Sequence, residues 1–408
     1  MPPPVTDSIP FLKNIFPPSC HSRVALVGGT VRDMLLGTGG KDMDLVAALS
    51  HEELCGLGFR LVEPASAATI YFRHILEAGS LEVTRIEGMN RLNEDLLRRD
   101  FTVNAMALGL DGTYSDPFHG EADVKKRLLR ACSERTFSDD PLRIFRAFRF
   151  ASDGWNMTPE TEALIRNNRW SDAFRTIPAE RFSGELLKAM ALGSPERFFQ
   201  GMIRFDLGGE FLPELFRMPQ IPAGPHEHHP EGDLFSHSIQ VLQRVTPLSP
   251  DPLTRFCAFF HDLGKLATPP ALYPRHHGHD HAGFPIAVEL CTHLRLPSIY
   301  RTALAWTNSL HTNANRWDEL RDSSKLKLAE QAYKAGITEI LPLVSAADKA
   351  GSLPMAGWDT TVRVARMNSA ELAIDPGIFE ALPIRDRAPY MVQKRVAVLR
   401  ELRGATFV

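Results

Sequence analysis

The spacing of apolar and polar residues divides the chain at about residue 120. Before that point, short apolar runs rich in β-branched and aromatic residues predict strands, and the first run is followed by a short predicted helix, 31–36. After it, apolar residues recur at helical spacing with charges between them. The pattern predicts an α+β fold, with a mixed sheet and helices first and helices alone afterwards. The predicted strands are 24–27, 59–62, 70–74 and 81–84, and the last predicted helix is 390–403.

The first predicted strand ends at a glycine pair, Gly28 and Gly29, where the missing Cβ lets the backbone approach a phosphate closely. Asp42 and Asp44 follow, two residues apart, so on a strand they lie on the same face. Two adjacent carboxylates repel each other unless a cation lies between them, and Mg²⁺ suits carboxylate and phosphate ligands. Each motif alone is typical of an ordinary turn or solvated loop, but together they predict nucleotidyl transfer.

Composition and charge exclude some classes of protein but do not identify the function. The 408 residues suit two to four domains, and 44% hydrophobic and 23% charged residues are typical of globular proteins. No apolar run is long enough to cross a membrane, and the N-terminus lacks the pattern of a signal peptide. Five cysteines without metal-binding spacing favour reduced thiols, so we expect a cytoplasmic location. With a net charge of -3, a nucleic-acid partner would depend on a local basic patch.

Two later clusters combine arginines with carboxylates. The first is Arg98-Arg99-Asp100, with Asn104 one helical turn further on; paired arginine donors suit phosphate oxygens. The second is Asp139-Asp140-Pro-Leu-Arg143, followed by arginines at every third position, which places them on one helical stripe. A solvated basic face would explain the stripe alone. An aspartate and an arginine three residues apart can instead present an acceptor and paired donors to a base edge.

In order and approximate spacing, these motifs resemble those of the class II tRNA nucleotidyltransferase and bacterial poly(A) polymerase superfamily, over roughly residues 20–200. The resemblance implies that Asp42 and Asp44 are catalytic and bind Mg²⁺. It also implies that Asp140 and Arg143 form a protein template that selects the incoming base, although Asp139 stands where the family has Glu. The residues implied to bind nucleotide are Gly28, Gly29, Arg32, Asp33, Arg99, Asp100, Asn104, Asp140, Arg143, Arg146 and Arg149.

A second set of residues lies further along the chain: His237, the pair His261-Asp262, and Asp348. These nitrogen and oxygen donors suit an octahedral divalent metal. The run His-Asp-Leu-Gly-Lys resembles the HD phosphohydrolase superfamily, and the whole chain resembles tRNA nucleotidyltransferases with a C-terminal HD domain. The resemblance implies a metal here, Ni²⁺, Mn²⁺ or Mg²⁺, and an accessory phosphohydrolase activity. Further ligand candidates are His311 and one of His276, His277 and His279, unless these three lie in a solvent-facing loop; His226, His228 and His229 are expected to be bystanders.

The resemblance also implies a domain order. A polymerase-β-like nucleotidyltransferase head, with mixed sheet plus helices, is expected over 1–120, and an all-helical neck that binds nucleotide and RNA over 121–215. A helical, metal-binding HD domain is expected over 216–373 and a C-terminal helical tail over 374–408. The implied partners are the tRNA 3′ end and CTP, with or without ATP, and no membrane. The alternatives are a poly(A) polymerase or A-adding enzyme, or an HD-domain metal phosphohydrolase whose head binds RNA.

The segment between Arg85 and Arg98 is short. Family members that add all of CCA carry a longer flexible loop there, which helps the pocket to switch from cytosine to adenine. The short segment favours addition of CC, with a separate A-adding enzyme acting next, although loops also vary in length without consequence. Glu82, at the end of a predicted strand, is a candidate third metal carboxylate.

Overall fold

The computed structural model describes residues 8–39, 42–62, 69–75, 79–350 and 355–405. The chain forms two compact units, 1–173 and 174–408. The first unit contains a seven-stranded mixed sheet and the second is helical, which confirms the predicted α+β class. The boundary at 173 falls inside the neck predicted over 121–215, and the four predicted domain limits remain predictions.

The sheet of the first unit has the strand order β3-β4-β5-β2-β1-β6-β7. Only the β2–β5 pair is parallel among its pairings in the described residues; the others are antiparallel. The four strands predicted from the sequence are all present. The seven strands are β1 (Val24–Val27), β2 (Asp42–Ala47), β3 (Arg60–Val62), β4 (Thr69–Ile75), β5 (Gly79–Arg85), β6 (Ala107–Gly109) and β7 (Tyr114–Ser115).

Strand β1 lies between β2 and β6, and every one of its residues is buried. This central position explains why its sequence is continuously apolar rather than alternating. Helix α2 (Gly29–Leu36) begins directly after β1 and ends at Gly37, which takes the left-handed conformation common at helix C-termini. Both elements agree with the sequence-based prediction, and the glycine pair lies at their junction.

The remaining helices of the first unit surround the sheet and continue beyond it. A short parallel pair, β8 (Leu128–Leu129) with β9 (Asn156–Met157), joins two of their connections. The helices are α1 (Ser8–Ile15), α3 (His51–Gly56), α4 (Leu92–Leu97), α5 (Gly120–Lys126), α6 (Thr136–Asp139), α7 (Leu142–Ser152) and α8 (Pro159–Arg166), and α9 (Ser171–Arg175) crosses into the second unit.

The second unit is held by stacked and edge-to-face phenylalanine rings. The rings of Phe199 and Phe259 are parallel with centroids 3.8 Å apart, and those of Phe182 and Phe211 are 4.3 Å apart. Its helices are α10 (Ala179–Met190), α11 (Glu196–Phe205), α12 (Pro213–Arg217), α13 (Leu234–Val245), α14 (Pro252–Phe259), α15 (His279–His293), α16 (Ser298–Asn315), α17 (Asp322–Ala335), α18 (Ile340–Asp348), α19 (Trp358–Arg366), α20 (Pro376–Ala381) and α21 (Ile384–Ala405). Among the described residues, no helix is both long and apolar enough to cross a membrane.

The last helix differs from the prediction. The sequence predicts a start at Tyr390, after a proline-rich segment, whereas α21 begins at Ile384 and contains Pro389. A proline removes one backbone donor and kinks or weakens a helix, but it does not always end the helix, and here the helix continues through Pro389. The proline-rich segment also contains α20, which begins at Pro376 behind the capping side chain of Asp375.

Candidate functional site

Three sequence motifs meet at Gly28, between β1 and α2. Its φ of +70° is left-handed, and a Cβ here would lie 2.7 Å from Arg99 Nη1 and 3.0 Å from Asp44 Oδ2. No side chain fits there without displacing the guanidinium or the carboxylate. The backbone of the glycine pair, an arginine and a carboxylate therefore line one small space at the start of a helix.

Two carboxylate residues face each other on the parallel strands β2 and β5. Asp44 is in register with Glu82, so their side chains leave the same face of the sheet. The amide of Asp44 donates to Thr30 Oγ1 at 3.3 Å, which ties the strand to the first turn of α2. The backbone of Asp42 belongs to β2, opposite Ser80, while its side chain lies outside the described part of the structure. Carboxylates on adjacent strands provide the oxygen ligands that Mg²⁺ prefers.

Arg99 is held by one carboxylate and has a free donor. Its Nη2 donates to Asp95 Oδ2 at 3.1 Å, one turn earlier in the chain, and its Nη1 points toward Gly28. Its Nε is buried and has no hydrogen-bond partner among the described residues. A buried, unpaired guanidinium donor is costly unless an anion completes its bonding. A nucleotide phosphate at Gly28 and Gly29 would supply that anion.

A continuous network of hydrogen bonds links the same region to α7. Arg32 donates to Asp33 Oδ1 at 2.7 Å and to Asn104 Oδ1 at 2.6 Å. Asn104 in turn donates to Asp100 Oδ1 at 2.8 Å, and Arg146 donates to Asp100 Oδ2 through both Nε and Nη2, each at 2.8 Å. The glycine-pair motif, the Arg-Arg-Asp motif and the arginine stripe are therefore joined through charged side chains.

Asp100 lies at the centre of this hydrogen-bond network, and its pKa is shifted. Its burial alone would raise its pKa, but the charge of Arg146 and hydrogen bonds from Asn104 and the Phe101 amide lower the pKa to about 2. The carboxyl group is therefore ionised at every physiological pH, and it fixes Arg146 and Asn104 in one geometry.

The arginine stripe of α7 faces the Arg-Arg-Asp segment rather than bulk solvent. Arg143 donates to the carbonyls of Thr136 (3.0 Å) and Arg98 (2.5 Å). Arg149 lies over the Phe150 ring, with its guanidinium carbon 4.6 Å from the ring centroid. Asp140, which precedes the helix, accepts a hydrogen bond from the Leu142 amide at 3.2 Å. Asp140 and Arg143 therefore lie at the start of α7, where the sequence predicts a template pair.

The second unit gathers the predicted histidines and aspartates into one buried cluster. His237 lies on α13, Asp348 ends α18, and His261-Asp262 occupy the turn after α14. His237 Nε2 is 3.1 Å from Asp348 Oδ1, and His261 Nε2 is 3.3 Å from Asp262 Oδ2. An adjacent His-Asp pair of this kind is expected on a helix, but His261 and Asp262 lie in a turn, which lets both face the cluster, because consecutive helical residues point about 100° apart.

His279 and His311 join this cluster on its other side. Each Nε2 atom lies 3.2 Å from Asp262 Oδ1, so the two oxygens of Asp262 face different pairs of imidazoles. A Cβ on Gly264 would overlap the His279 carbonyl, so the glycine lets α15 approach. Of the three candidate ligands His276, His277 and His279, the structure brings His279 to Asp262, and its ligation of a metal stays a prediction. His277 is exposed, and His276 bonds instead to Thr268 Oγ1 and the Pro222 carbonyl.

The ring nitrogens of this cluster are arranged as in a metal site. The Nδ1 atoms of His261, His279 and His311 contact backbone carbonyls at 2.7–2.9 Å, so their Nε2 atoms are free to ligate. Three buried atoms have no hydrogen-bond partner among the described residues: His237 Nε2, His261 Nε2 and Asp262 Oδ1. These unsatisfied donors and acceptors converge on the space that a divalent cation would fill, so the residues fit the metal that an HD domain implies.

Without a cation, protons would take its place. Burial alone would lower the pKa of His261, but the carboxylates of Asp262 and Asp348 raise it to about 10. The pKa of Asp262 is held well below its usual range by Lys265, whose Nζ lies 2.6 Å from Asp262 Oδ2, and by His261. Binding of a divalent cation would displace the imidazole protons, because metal-bound imidazole is neutral.

The sequence analysis treated His229 as a bystander, and Glu231 was not considered. Glu231 Oε1 lies 2.7 Å from His237 Nδ1 and 2.9 Å from His229 Nδ1. His229 lies in the proline-rich stretch 216–230, which the sequence predicts to be a linker, and Glu231 follows that stretch directly. The available signal was a glutamate six residues before a ligand candidate and next to a histidine run, which is weak without the fold.

Three family models match the chain: "Poly A polymerase head domain" over residues 68–130, "Probable RNA and SrmB- binding site of polymerase A" over 154–218, and "HD domain" over 234–350. Solved structures share the fold. The Bacillus stearothermophilus CCA-adding enzyme in complex with CTP aligns with a TM-score of 0.64 at 20% identity, covering 100% of this chain and 94% of that one. The Thermotoga maritima CCA-adding enzyme complexed with tRNA_CCA aligns with a TM-score of 0.60 at 18% identity, covering 94% and 91%.

The fold and these models define a nucleotidyltransferase with a polymerase-type head and an HD domain. A multifunctional CCA protein of Shewanella frigidimarina (strain NCIMB 400) is 35% identical to this chain, over 76% of this chain and 78% of that protein. The chain belongs to this family of CCA proteins, the tRNA nucleotidyltransferases that the sequence motifs resemble.

Replacing Asp100 with Asn should lower the free energy of unfolding of the chain by about 2 kcal/mol at pH 7, since the carboxyl pKa falls from an ordinary 3.8 to about 2 on folding. Because the folded pKa is the lower one, this stabilisation is complete above pH 4 and is lost as the pH falls toward 2. Urea unfolding of both proteins from pH 7 to pH 3 measures the difference.

The matched control is Asp139→Asn, which removes an exposed ion pair with Arg135. It should cost less than about 0.5 kcal/mol at any pH. Equal losses in the two variants would contradict the special role assigned to Asp100.

Proposed function

We propose that the first unit transfers CMP from CTP to the 3′ end of tRNA, with Mg²⁺ held by Asp42 and Asp44. The observation that carries this proposal is the contact of Gly28 with Arg99 and Asp44. A Cβ placed on Gly28 would lie 2.7 Å from Arg99 Nη1 and 3.0 Å from Asp44 Oδ2, so a phosphate-binding backbone, a guanidinium with an unpaired donor and a carboxylate border one small space. Arg32, Asp33, Asp100, Asn104, Arg146 and Arg149 complete the proposed nucleotide site. The metal would activate the attacking tRNA hydroxyl and offset charge on the leaving pyrophosphate.

The base would be chosen by Asp140 and Arg143. An aspartate accepts hydrogen bonds and an arginine donates two, so the pair can match the edge of cytosine without a nucleic-acid template. We propose a cytoplasmic location, where cysteines stay reduced; the five cysteines of this chain form no disulfide bond.

Asp44→Asn should reduce CMP incorporation into tRNA lacking its 3′ end about a thousandfold, since a metal at such a site contributes several kcal/mol to transition-state stabilisation. The affinity for tRNA should stay within threefold of the unmodified chain, which a filter-binding assay measures. Asp111→Asn, which changes an exposed turn carboxylate, is the control and should remain fully active.

Near-normal incorporation by Asp44→Asn would overturn the metal assignment. Incorporation of AMP alone, into RNA of any sequence, would indicate a poly(A) polymerase instead. If the unmodified chain and both variants transfer no nucleotide to RNA, the alternative of an HD phosphohydrolase with an RNA-binding head is favoured.

We further infer that synthesis stops after the second cytidine. The short segment before Arg98 is fastened to the core: the Ile86 amide donates to the Ala47 carbonyl at 3.0 Å, and the side chains of Ile86, Met89 and Leu92 pack on a buried cluster. That cluster contains Ala25, Val27, Val46, Leu96, Ala105 and Ala107. A segment held in this way cannot move to reshape the base-binding pocket from cytosine to adenine.

The fastened segment also connects to the template pair. It leads directly into α4, and the carbonyl of Arg98, which follows α4, accepts a hydrogen bond from Arg143. A shift of Arg143 to accommodate adenine would therefore have to break this bond or move α4. The separate partner for the last step would be an A-adding enzyme.

With tRNA lacking its 3′ end and excess CTP and ATP, product ends should carry CC, and the fraction ending in CCA should stay below about one tenth. Sequencing of the product ends measures this ratio. A longer loop from a CCA-adding relative, grafted in place of residues 86–93, should raise the CCA fraction, whereas a Gly-Ser loop of equal length should not. If the unmodified chain completes CCA, the activity named for its Shewanella relative, the arrest proposal is wrong.

A second candidate function rests on the buried cluster of the second unit. We infer that His237, His261, Asp262 and Asp348 bind a divalent cation, Ni²⁺, Mn²⁺ or Mg²⁺, for hydrolysis of phosphate esters. The support is the set of buried Nε2 and Oδ1 atoms without hydrogen-bond partners. His279 and His311, on the far oxygen of Asp262, provide donors for a second cation.

The double variant His261→Ala, Asp262→Ala should lose its bound transition metal and its hydrolysis of p-nitrophenyl phosphate, while CMP transfer to tRNA persists. Metal content by mass spectrometry and the two assays check this. His277→Ala, which changes an exposed histidine of the same loop region, is the control. Metal retained in the double variant would refute the site.

A further inference from the structure

His237 has a different environment at each of its two ring nitrogens. Its Nδ1 lies 2.7 Å from Glu231 Oε1, while its Nε2 lies 3.1 Å from Asp348 Oδ1 and 3.6 Å from Asp262 Oδ2. An ionised carboxylate only accepts hydrogen bonds, so the Nδ1 atom that faces Glu231 carries the proton. Nε2 also faces carboxylates, so it gives up its proton only when a cation occupies the space between it, Asp348 and Asp262, and its lone pair then points at that cation.

Glu231 is itself firmly held. Its side chain is only 6% exposed, and the same Oε1 atom lies 2.9 Å from His229 Nδ1. The His229 ring packs edge-on against the His237 ring, with centroids 5.0 Å apart. A Cβ on Gly224 would overlap the His229 ring, so the chain leaves room for this imidazole only by having glycine there. The carboxylate is therefore fixed on two imidazoles and cannot easily turn away.

The other imidazoles of the cluster are oriented differently. The Nδ1 atoms of His261, His279 and His311 contact backbone carbonyls, whereas the Nδ1 of His237 contacts a carboxylate. A charged acceptor makes the opposite nitrogen a stronger electron donor than a carbonyl does, and it also selects the ligating tautomer. His237 is thus the imidazole whose affinity for a cation depends most on a neighbouring side chain.

We propose that Glu231 is a positioning residue of the metal site. It holds His237 as the Nδ1–H tautomer, so that Nε2 offers its lone pair to a divalent cation shared with Asp262 and Asp348. This role rests on the metal-dependent function proposed above for the second unit. In this proposal the proline-rich segment around residues 224–231 carries the carboxylate that orients His237 through the ring nitrogen opposite the metal.

The test is Ni²⁺ affinity of the full chain, stripped of metal and titrated against a fluorescent chelator. Glu231→Gln should bind Ni²⁺ about 10- to 100-fold more weakly. The thermal midpoint of the metal-free protein and CMP transfer to tRNA should not change. Glu227→Gln is the matched control, since Glu227 is an exposed glutamate of the same segment, and its Ni²⁺ affinity should equal that of the unmodified chain. Glu231→Asp keeps the negative charge but places it further from His237, so a smaller loss of Ni²⁺ affinity is expected. This variant decides the question if Glu231→Gln does not fold.

Three results would overturn the proposal in distinguishable ways. If the unmodified chain binds no Ni²⁺, the metal function of the second unit fails and the role of Glu231 with it. If the unmodified chain and Glu231→Gln bind Ni²⁺ equally well, only the positioning role fails. If Glu231→Gln binds fewer ions per chain at unchanged affinity, Glu231 is itself a ligand, in a site with His229 and His237.

Discussion

The first unit depends on one buried ion pair, between Asp100 and Arg146. Taking a carboxylate out of water costs several kcal/mol unless it is paired and its remaining lone pairs are bonded. Here the two bonds from Arg146, one from Asn104 and one from the Phe101 amide meet that requirement. Asn104 and Phe101 belong to the segment of Asp100 itself, whereas Arg146 comes from α7, so satisfying this one carboxylate fixes α7 against the segment that carries Arg99, Asp100 and Asn104.

The cluster of the second unit follows the opposite rule. Its carboxylates and imidazoles are as deeply buried as Asp100, but several of their atoms point at one another without a bonding partner. Each unmet buried polar atom costs on the order of 1–3 kcal/mol, so the arrangement is unfavourable for a protein that never binds a cation. The hydrogen bonds at Nδ1 of each histidine turn its Nε2 atom toward the centre of the cluster. The cluster therefore has the properties of a binding site, and Asp100 those of a structural anchor.

Much of this could be predicted from the sequence because local chemistry determines it. The continuous apolar run 24–27 is a central strand, the glycine pair ends it, and the arginines at every third position share one face of α7. The motifs that the resemblance identifies as catalytic are short and lie close to turns, so their spacing is nearly independent of the rest of the chain. The start of α21 was missed because a proline weakens a helix without always ending it.

Only the tertiary structure decided which residues far apart in the chain contact each other. No sequence pattern states that Arg99 contacts Gly28, that Arg143 bonds to the Arg98 carbonyl, or that Glu82 pairs with Asp44 across parallel strands. No sequence pattern places Glu231 or His279 in the cluster either, because Glu231 follows a proline-rich stretch and His279 follows a histidine-rich one. The sequence by itself determined which chemical groups are available and which elements carry them. Side chains from distant elements meet only when burial of the apolar faces brings those elements together, so the fold alone decided their partners.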